Sequence, residues 1–246
     1  MSPKKKSVVG KGIGDKVDKD GDARKNDDVY KDEDADVVLV SSDNTVFRVH
    51  GFYLMAASPV FRDMLGSSTS GANGEVEFTD EKLECATTIR ALLDYICKPF
   101  GDFDSLPCDT RFSLIRVAEK YDCSVLLQAI TLHTEHSVGS KTHLWERFFY
   151  ACALDNIEVA HRLLPAAAGF TWSSGLAEDI ASVNQNITGA SVLDITSMSS
   201  AWMDYLPRKY LLALIRASRL RVPSNLESWS AVADEFKKQV NLQNTK

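Results

Sequence analysis

The sequence predicts an α+β fold: a small β-sheet flanked by a cluster of helices, followed by an all-α region. Two periodicities and one charge pattern carry this reading. Apolar residues alternate with period two within residues 36–49 and 75–78, whereas from Cys85 onward they recur every three or four residues. Residues 1–34 hold nine Lys or Arg and nine Asp or Glu against eight apolar residues, too few to repay the entropy of ordering. Residues 1–34 are therefore read as a disordered charged tail that folding does not need.

The ordered part begins with Val37, Leu39 and then Thr45, Phe47 and Val49, which alternate around Ser42-Asp43-Asn44. Asp and Asn tolerate the positive φ of a tight turn, so this is a β-hairpin. Glu75-Val76-Glu77-Phe78 alternates again and extends the sheet. Between them, Leu54, Phe61 and Leu65 share a helical face, but Pro59 forbids one continuous helix. Ser58 as N-cap with Pro59 at the first helical position predicts two short helices, 52–57 and 59–65. A flexible Gly- and Ser-rich loop, 66–74, follows.

Helical spacing then takes over. Cys85, Ile89, Leu92, Leu93 and Ile96 mark one helix, stopped near Pro99. Phe112, Ile115 and Ala118 mark the next, with Asp109 as its N-cap, and Ser124 caps a third that ends around Gly139. In the C-terminal half the stripes are Trp145, Phe148, Phe149 and Cys152; Val159 and Leu163 up to Pro165; Leu176, Ile180 and Val183; and Tyr210, Leu211, Leu214 and Ile215. A last stripe of Leu226, Trp229, Val232 or Ala233, Phe236 and Val240 starts from a capping box of Ser224 and Glu227. No fixed-period repeat relates these helices.

With 246 residues, 44% hydrophobic and 25% charged, the chain has the composition of an ordinary globular protein. The apolar run Tyr210–Ile215 falls far short of the roughly 20 residues of a membrane span. Lys4, Lys5 and Lys6 are followed by no apolar core of a secretory signal, so an intracellular protein, cytoplasmic or nuclear, is expected. Pro3-Lys4-Lys5-Lys6 is itself a candidate nuclear-import run, against a merely solvated charge run. The tail is neutral overall, so residues 35–246 carry the whole net charge of −6, which disfavours binding to nucleic acid or anionic lipid.

No catalytic, cofactor or metal site emerges. Gly66 and Gly71 have phosphate-loop spacing, but Ala72-Asn73 stand where Lys and Ser or Thr would be needed. Gly10-Lys-Gly-Ile-Gly14 lacks the strand-to-helix context of a dinucleotide fingerprint. His133, His136 and His143 lie near one helix end without a fourth zinc ligand. The five cysteines (Cys85, Cys97, Cys108, Cys123, Cys152) contain no C-x-x-C pair and read as reduced packing residues. Arg208, Lys209, Arg216, Arg219 and Arg221 read as a solvated helix face. Asn186-Ile-Thr188 is a glycosylation sequon without a secretory route.

Together, Ala35-Asp36-Val37-Val38-Leu39-Val40, Phe47-Arg48-Val49-His50, Leu54 through Leu65, Leu92-Leu93-Asp94-Tyr95-Ile96 and Ala118-Glu119-Lys120-Tyr121-Asp122 resemble a BTB/POZ domain over residues 35–132. Residues 133–246 are similar to the helical extension of fungal-type members, with 206–215 as its marker. The resemblance makes Asp36, His50, Leu54, Ser58, Phe61 and Tyr121 the signature residues. It implies protein partners rather than chemistry: a non-enzymatic scaffold or adaptor, with recruitment to a cullin-type ubiquitin ligase among the family's uses. A nuclear transcriptional or chromatin cofactor is the alternative. His50 is expected partly buried and bonded to backbone, and Asp36 to act as a backbone acceptor.

Three departures from family patterns bear on partner choice. Gly51 replaces the basic residue that zinc-finger members carry after the signature His. Residues 20–34 lack the apolar helix those members exchange in dimers. Ser67–Gly71 lacks the hydrophobic-x-Glu motif of cullin-recruiting members. Phe52 and Met55 lie off the Leu54–Phe61 stripe, and with Tyr95 they form the expected interaction surface, including that of a weak homodimer.

Overall fold

A computed structural model describes residues 24–66, 74–98, 103–136, 144–169, 191–196, 198, 200–221 and 228–244. The run Pro3–Lys6, most of the loop 66–74, the stripe of Leu176, Ile180 and Val183, the sequon and the capping box of Ser224 and Glu227 lie outside the described residues.

The predicted hairpin is present. Strands β2 (Val37–Val40) and β3 (Thr45–Val49) pair antiparallel, with Val37 opposite Val49 and Val40 opposite Val46. Their turn closes through Asn44 at φ 62°. Ser41 ties the turn together: its hydroxyl donates to Asp43 and accepts from the Thr45 N–H at 3.0 Å. Strand β4 (Glu75–Glu77) adds parallel to β2, one residue shorter than the alternation suggests.

The charged tail is corrected over its last part. Residues Lys25–Lys31 form a strand, β1, that pairs parallel with β3, giving the sheet order β1-β3-β2-β4. Asp27 and Tyr30 are buried, three residues apart, because β1 is not regular. Between the Asn26–Val46 and Lys31–Arg48 pairs its register shifts, and the Asp27 carboxylate accepts the Val29 and Tyr30 N–H groups, each at 2.8 Å. That local side-chain capture replaces ladder bonds and turns the Tyr30 ring inward.

The broken helix pair is α1 (Gly51–Ala57) and α2 (Pro59–Gly66). Helices α3 (Ala86–Cys97), α4 (Cys108–Lys120) and α5 (Ser124–His136) complete the N-terminal unit. Its expected boundary at residue 132 falls inside α5. Asp109 does not cap α4: Pro107 holds that position, and the Asp109 carboxylate instead accepts the Tyr205 hydroxyl.

The rest comprises α6 (Leu144–Ala153), α7 (Ile157–Ala167), α8 (Ser200–Tyr205), α9 (Arg208–Ala217) and α10 (Ser228–Asn244). Pro165 does not stop α7. It sits in the last turn, where it removes the bond its N–H would make to the His161 carbonyl, yet the helix runs two residues further. In α9 the buried set is Tyr210, Ala213, Leu214 and Ala217, while Ile215 is exposed. In α10 Trp229, Val232, Ala233, Phe236 and Val240 are all buried.

The two halves share one continuous core, from Tyr30 to Val240. At the seam, Phe112 of α4 stacks on Tyr205 at 4.1 Å between ring centroids and meets Phe149 of α6 edge-on at 6.4 Å. Beside it, buried Arg111 of α4 bonds buried Glu146 of α6 at 3.0 Å, which also accepts the Tyr150 hydroxyl at 3.2 Å. Among the described residues no helix is long and apolar enough to cross a membrane.

Candidate protein-interaction surface

The signature residues divide into buried joints and exposed groups. Leu54, Ser58 and Phe61 are fully buried and Tyr121 nearly so, so none of them can meet a partner directly. Ser58 joins the two helix pairs: its hydroxyl donates to the Tyr121 carbonyl and accepts the Phe61 N–H at 3.0 Å, capping α2. The Phe61 and Tyr121 rings stack at 4.7 Å, and Phe78 closes on both edge-first.

Below this joint lies Glu84, 1% exposed. Its carboxylate accepts from the Thr79 and Asp80 N–H groups at 3.0 and 2.8 Å, from Lys120 Nζ at 2.6 Å and from the Tyr121 hydroxyl at 2.5 Å. Burial alone would raise its pKa, but the bonds from Lys120, Tyr121 and the Asp80 N–H hold it below the ordinary carboxylate value. A folded-state pKa lowered in this way gives stability that is complete above the ordinary value and lost as pH falls through the folded-state value. Glu84→Gln is therefore expected to cost about 1–3 kcal/mol at pH 7 and much less near pH 3, measured as urea unfolding at both. An equal cost at the two pH values would show that the charge contributes nothing.

At the start of α1, His50 is exposed rather than partly buried. It occupies the N-cap position, where extended backbone directs its ring outward, and Nε2 lies 3.2 Å from Asp32. Its expected backbone bond is thus replaced by a carboxylate. Asp36 accepts the Gly51 N–H at 2.7 Å, supplying an acceptor to a helix terminus that His50 leaves uncapped. A Cβ at Gly51 would lie 2.9 Å from Val37 Cγ2, so this close approach of helix to strand leaves no room for a side chain.

The outer side of α1 presents two faces. Phe52, 70% exposed, and half-buried Met55 form one. Tyr53, Ala56 and Ala57 form the other and wall a groove of about 580 Å³ against Tyr95 and Ile96 of α3 and Val125, Leu126 and Ala129 of α5. Val125 is 71% exposed at its rim. Thus Tyr95 belongs to the groove, while Phe52 and Met55 stand beside it; the Phe52 and Tyr53 rings, 5.7 Å apart, join the two faces. The groove was not legible in sequence, because Ala56 and Ala129 gain meaning only when α1 and α5 lie side by side.

The remaining candidates fall into ordinary roles. His133 pairs with Asp104 at 3.2 Å, and the side chains of His136 and His143 lie outside the described residues. Among the described residues no His, Cys, Asp and Glu group is arranged to hold a metal. Burial pushes the thiols of Cys97 and Cys123 up to about 11 and that of Cys108 to about 12, far from reactive thiolates. Of the basic residues read as a solvated helix face, Arg208, Arg216 and Arg219 are exposed, while Lys209 pairs with Asp155 at 2.5 Å and Arg221 with Asp194.

Compared with known proteins, no curated protein matches the chain. Residues 27–137 match the family model of the BTB/POZ domain, beginning inside β1 and ending just past α5.

Proposed function

Because this chain carries a BTB/POZ domain at residues 27–137, an interaction module, we propose that it is a scaffold or adaptor that joins protein partners. The observation that supports this most is the apolar outer surface of α1 and α5, where Phe52, Tyr53 and Val125 are exposed together. Isolated exposed apolar residues are common, but a contiguous patch beside a groove marks an interaction site.

Within that role we propose a substrate adaptor of a cullin-type ubiquitin ligase. The hydrophobic-x-Glu motif is missing, so docking has to rest on a few apolar anchors and be modest in strength. The full chain is expected to bind a purified cullin N-terminal domain with Kd below about 100 μM, weaker binding than roughly −5.5 kcal/mol being evidence against the ligase reading. The run Pro3–Lys6 favours a second reading, a nuclear transcriptional or chromatin cofactor. Loss of nuclear accumulation of the tagged chain when Lys4–Lys6 become Ala supports it; unchanged cytoplasmic distribution counts against it.

We further propose a weak homodimer through the Phe52 and Met55 face. Light scattering should show mass rising with concentration in the high micromolar range, and Phe52→Asp should abolish the rise. A strict monomer rejects this contact.

A further inference from the structure

The groove differs chemically from the chain that contains it. The chain has a net charge of −6, yet among the described residues no Asp or Glu lines the groove, and the charged or titratable described lining groups besides tyrosine and cysteine are Lys98 and His133. Each is held from behind by a carboxylate outside the lining: Asp94 takes Lys98 Nζ at 2.5 Å, and Asp104 faces His133 Nε2 at 3.2 Å. Lys98 stays half exposed and an ammonium has three donors, so it has capacity left for a second acceptor. The floor is apolar, and its small residues Ala56, Ala57 and Ala129 leave the space that larger side chains would fill.

From this we infer that the groove between α1, α3 and α5 binds a short partner segment that is apolar and acidic, its aliphatic or aromatic side chains between Tyr53 and Val125 and a carboxylate at Lys98. The volume of about 580 Å³ lies within the roughly 300–1,000 Å³ of sites that enclose small ligands, which suits a few side chains. A second copy of this chain fits less well. A two-fold contact at the groove sets the same patch against itself, and among the described lining residues that patch offers no acid to meet Lys98 or His133. Phe52 and Met55, on the neighbouring face of α1, stay free for the proposed homodimer. The assignment rests on the interaction-module reading and adds the chemistry of one partner segment to it.

The test is selection from a random twelve-residue peptide library displayed on phage, with the full chain as target. Peptides combining Leu, Phe or Trp with Asp or Glu are expected to enrich, and a synthetic consensus peptide gives Kd by fluorescence anisotropy. Ala129→Arg changes an exposed residue, so the fold survives, and it should weaken the peptide at least tenfold. Replacing the peptide's acid with its amide should weaken binding at least fivefold to the native chain, but less than twofold to Lys98→Ala. Phe52→Ala should change Kd less than twofold. The inference is overturned if no such peptide enriches, if Ala129→Arg leaves Kd unchanged, or if Ala129→Arg instead abolishes self-association. Any of these results with cullin binding intact removes the groove assignment alone; loss of both removes the adaptor reading too.

Discussion

Truncating the first 31 residues is expected to lower the unfolding free energy by about 3–5 kcal/mol, the cost of losing one buried aromatic side chain with its partners. The aromatic is Tyr30. Its ring is buried 6.3 Å from Phe47 and beneath Lys98, and its hydroxyl donates to Asp94 at 2.7 Å. Two residues of α3 would also lose partners, because Arg90 pairs with buried Asp27 and with Asp28, and Asp94 with Tyr30. Tyr30→Ala in the full chain should reproduce most of the loss, whereas Tyr30→Phe, which removes only the hydrogen bond, should cost about 1 kcal/mol. Urea unfolding measures all three. A truncated chain within about 1 kcal/mol of the full one would mean that β1 contributes nothing to the sheet and that the charged tail extends to residue 34 after all.

The reason β1 is illegible in the sequence also explains which parts are legible. A strand announces itself by alternation, and Lys25–Lys31 buries Asp27 and Tyr30 with two exposed residues between them. The Asp27 carboxylate that makes this spacing workable looks, in sequence, like one more tail charge. The hairpin reads correctly because its information is local: alternating Val, Leu and Phe around an Asn that adopts positive φ. The split at Ser58-Pro59 is equally local, since proline forbids a continuous helix whatever surrounds it. Asp109 and Pro165 mislead for the opposite reason. Their local preferences are real, but the bond of Tyr205 to Asp109 and the packing of α7 on α10 outweigh them, Pro165 being tolerated because it falls only two residues before the end of α7. Of the candidate surface, the exposure of Phe52 follows from its place off the α1 stripe. The groove required knowing that α5 returns alongside α1.

Ending the chain at residue 137, where the BTB/POZ match stops, is expected to remove cooperative folding altogether, despite the apparent independence of that unit in sequence. The seam is built from the inside of α4, not from its surface. Phe112 is 2% exposed only because Tyr205, Phe149 and Tyr150 cover it. Arg111 is buried with its Glu146 partner on α6, and removal of one member of a buried pair typically costs about 3–5 kcal/mol. Exposing a core phenylalanine adds about 2–3 kcal/mol. Together these losses rival the roughly 5–15 kcal/mol that holds a whole domain folded. The fragment should show no sigmoidal urea transition, bind a dye for exposed apolar surface, and aggregate at micromolar concentration. In the full chain, Phe112→Ala should cost about 3–5 kcal/mol and leave folding cooperative. A 1–137 fragment that melts cooperatively within about 2 kcal/mol of the full chain would separate the two halves energetically. It would also make α6–α10 a partner of the BTB/POZ domain rather than part of its core.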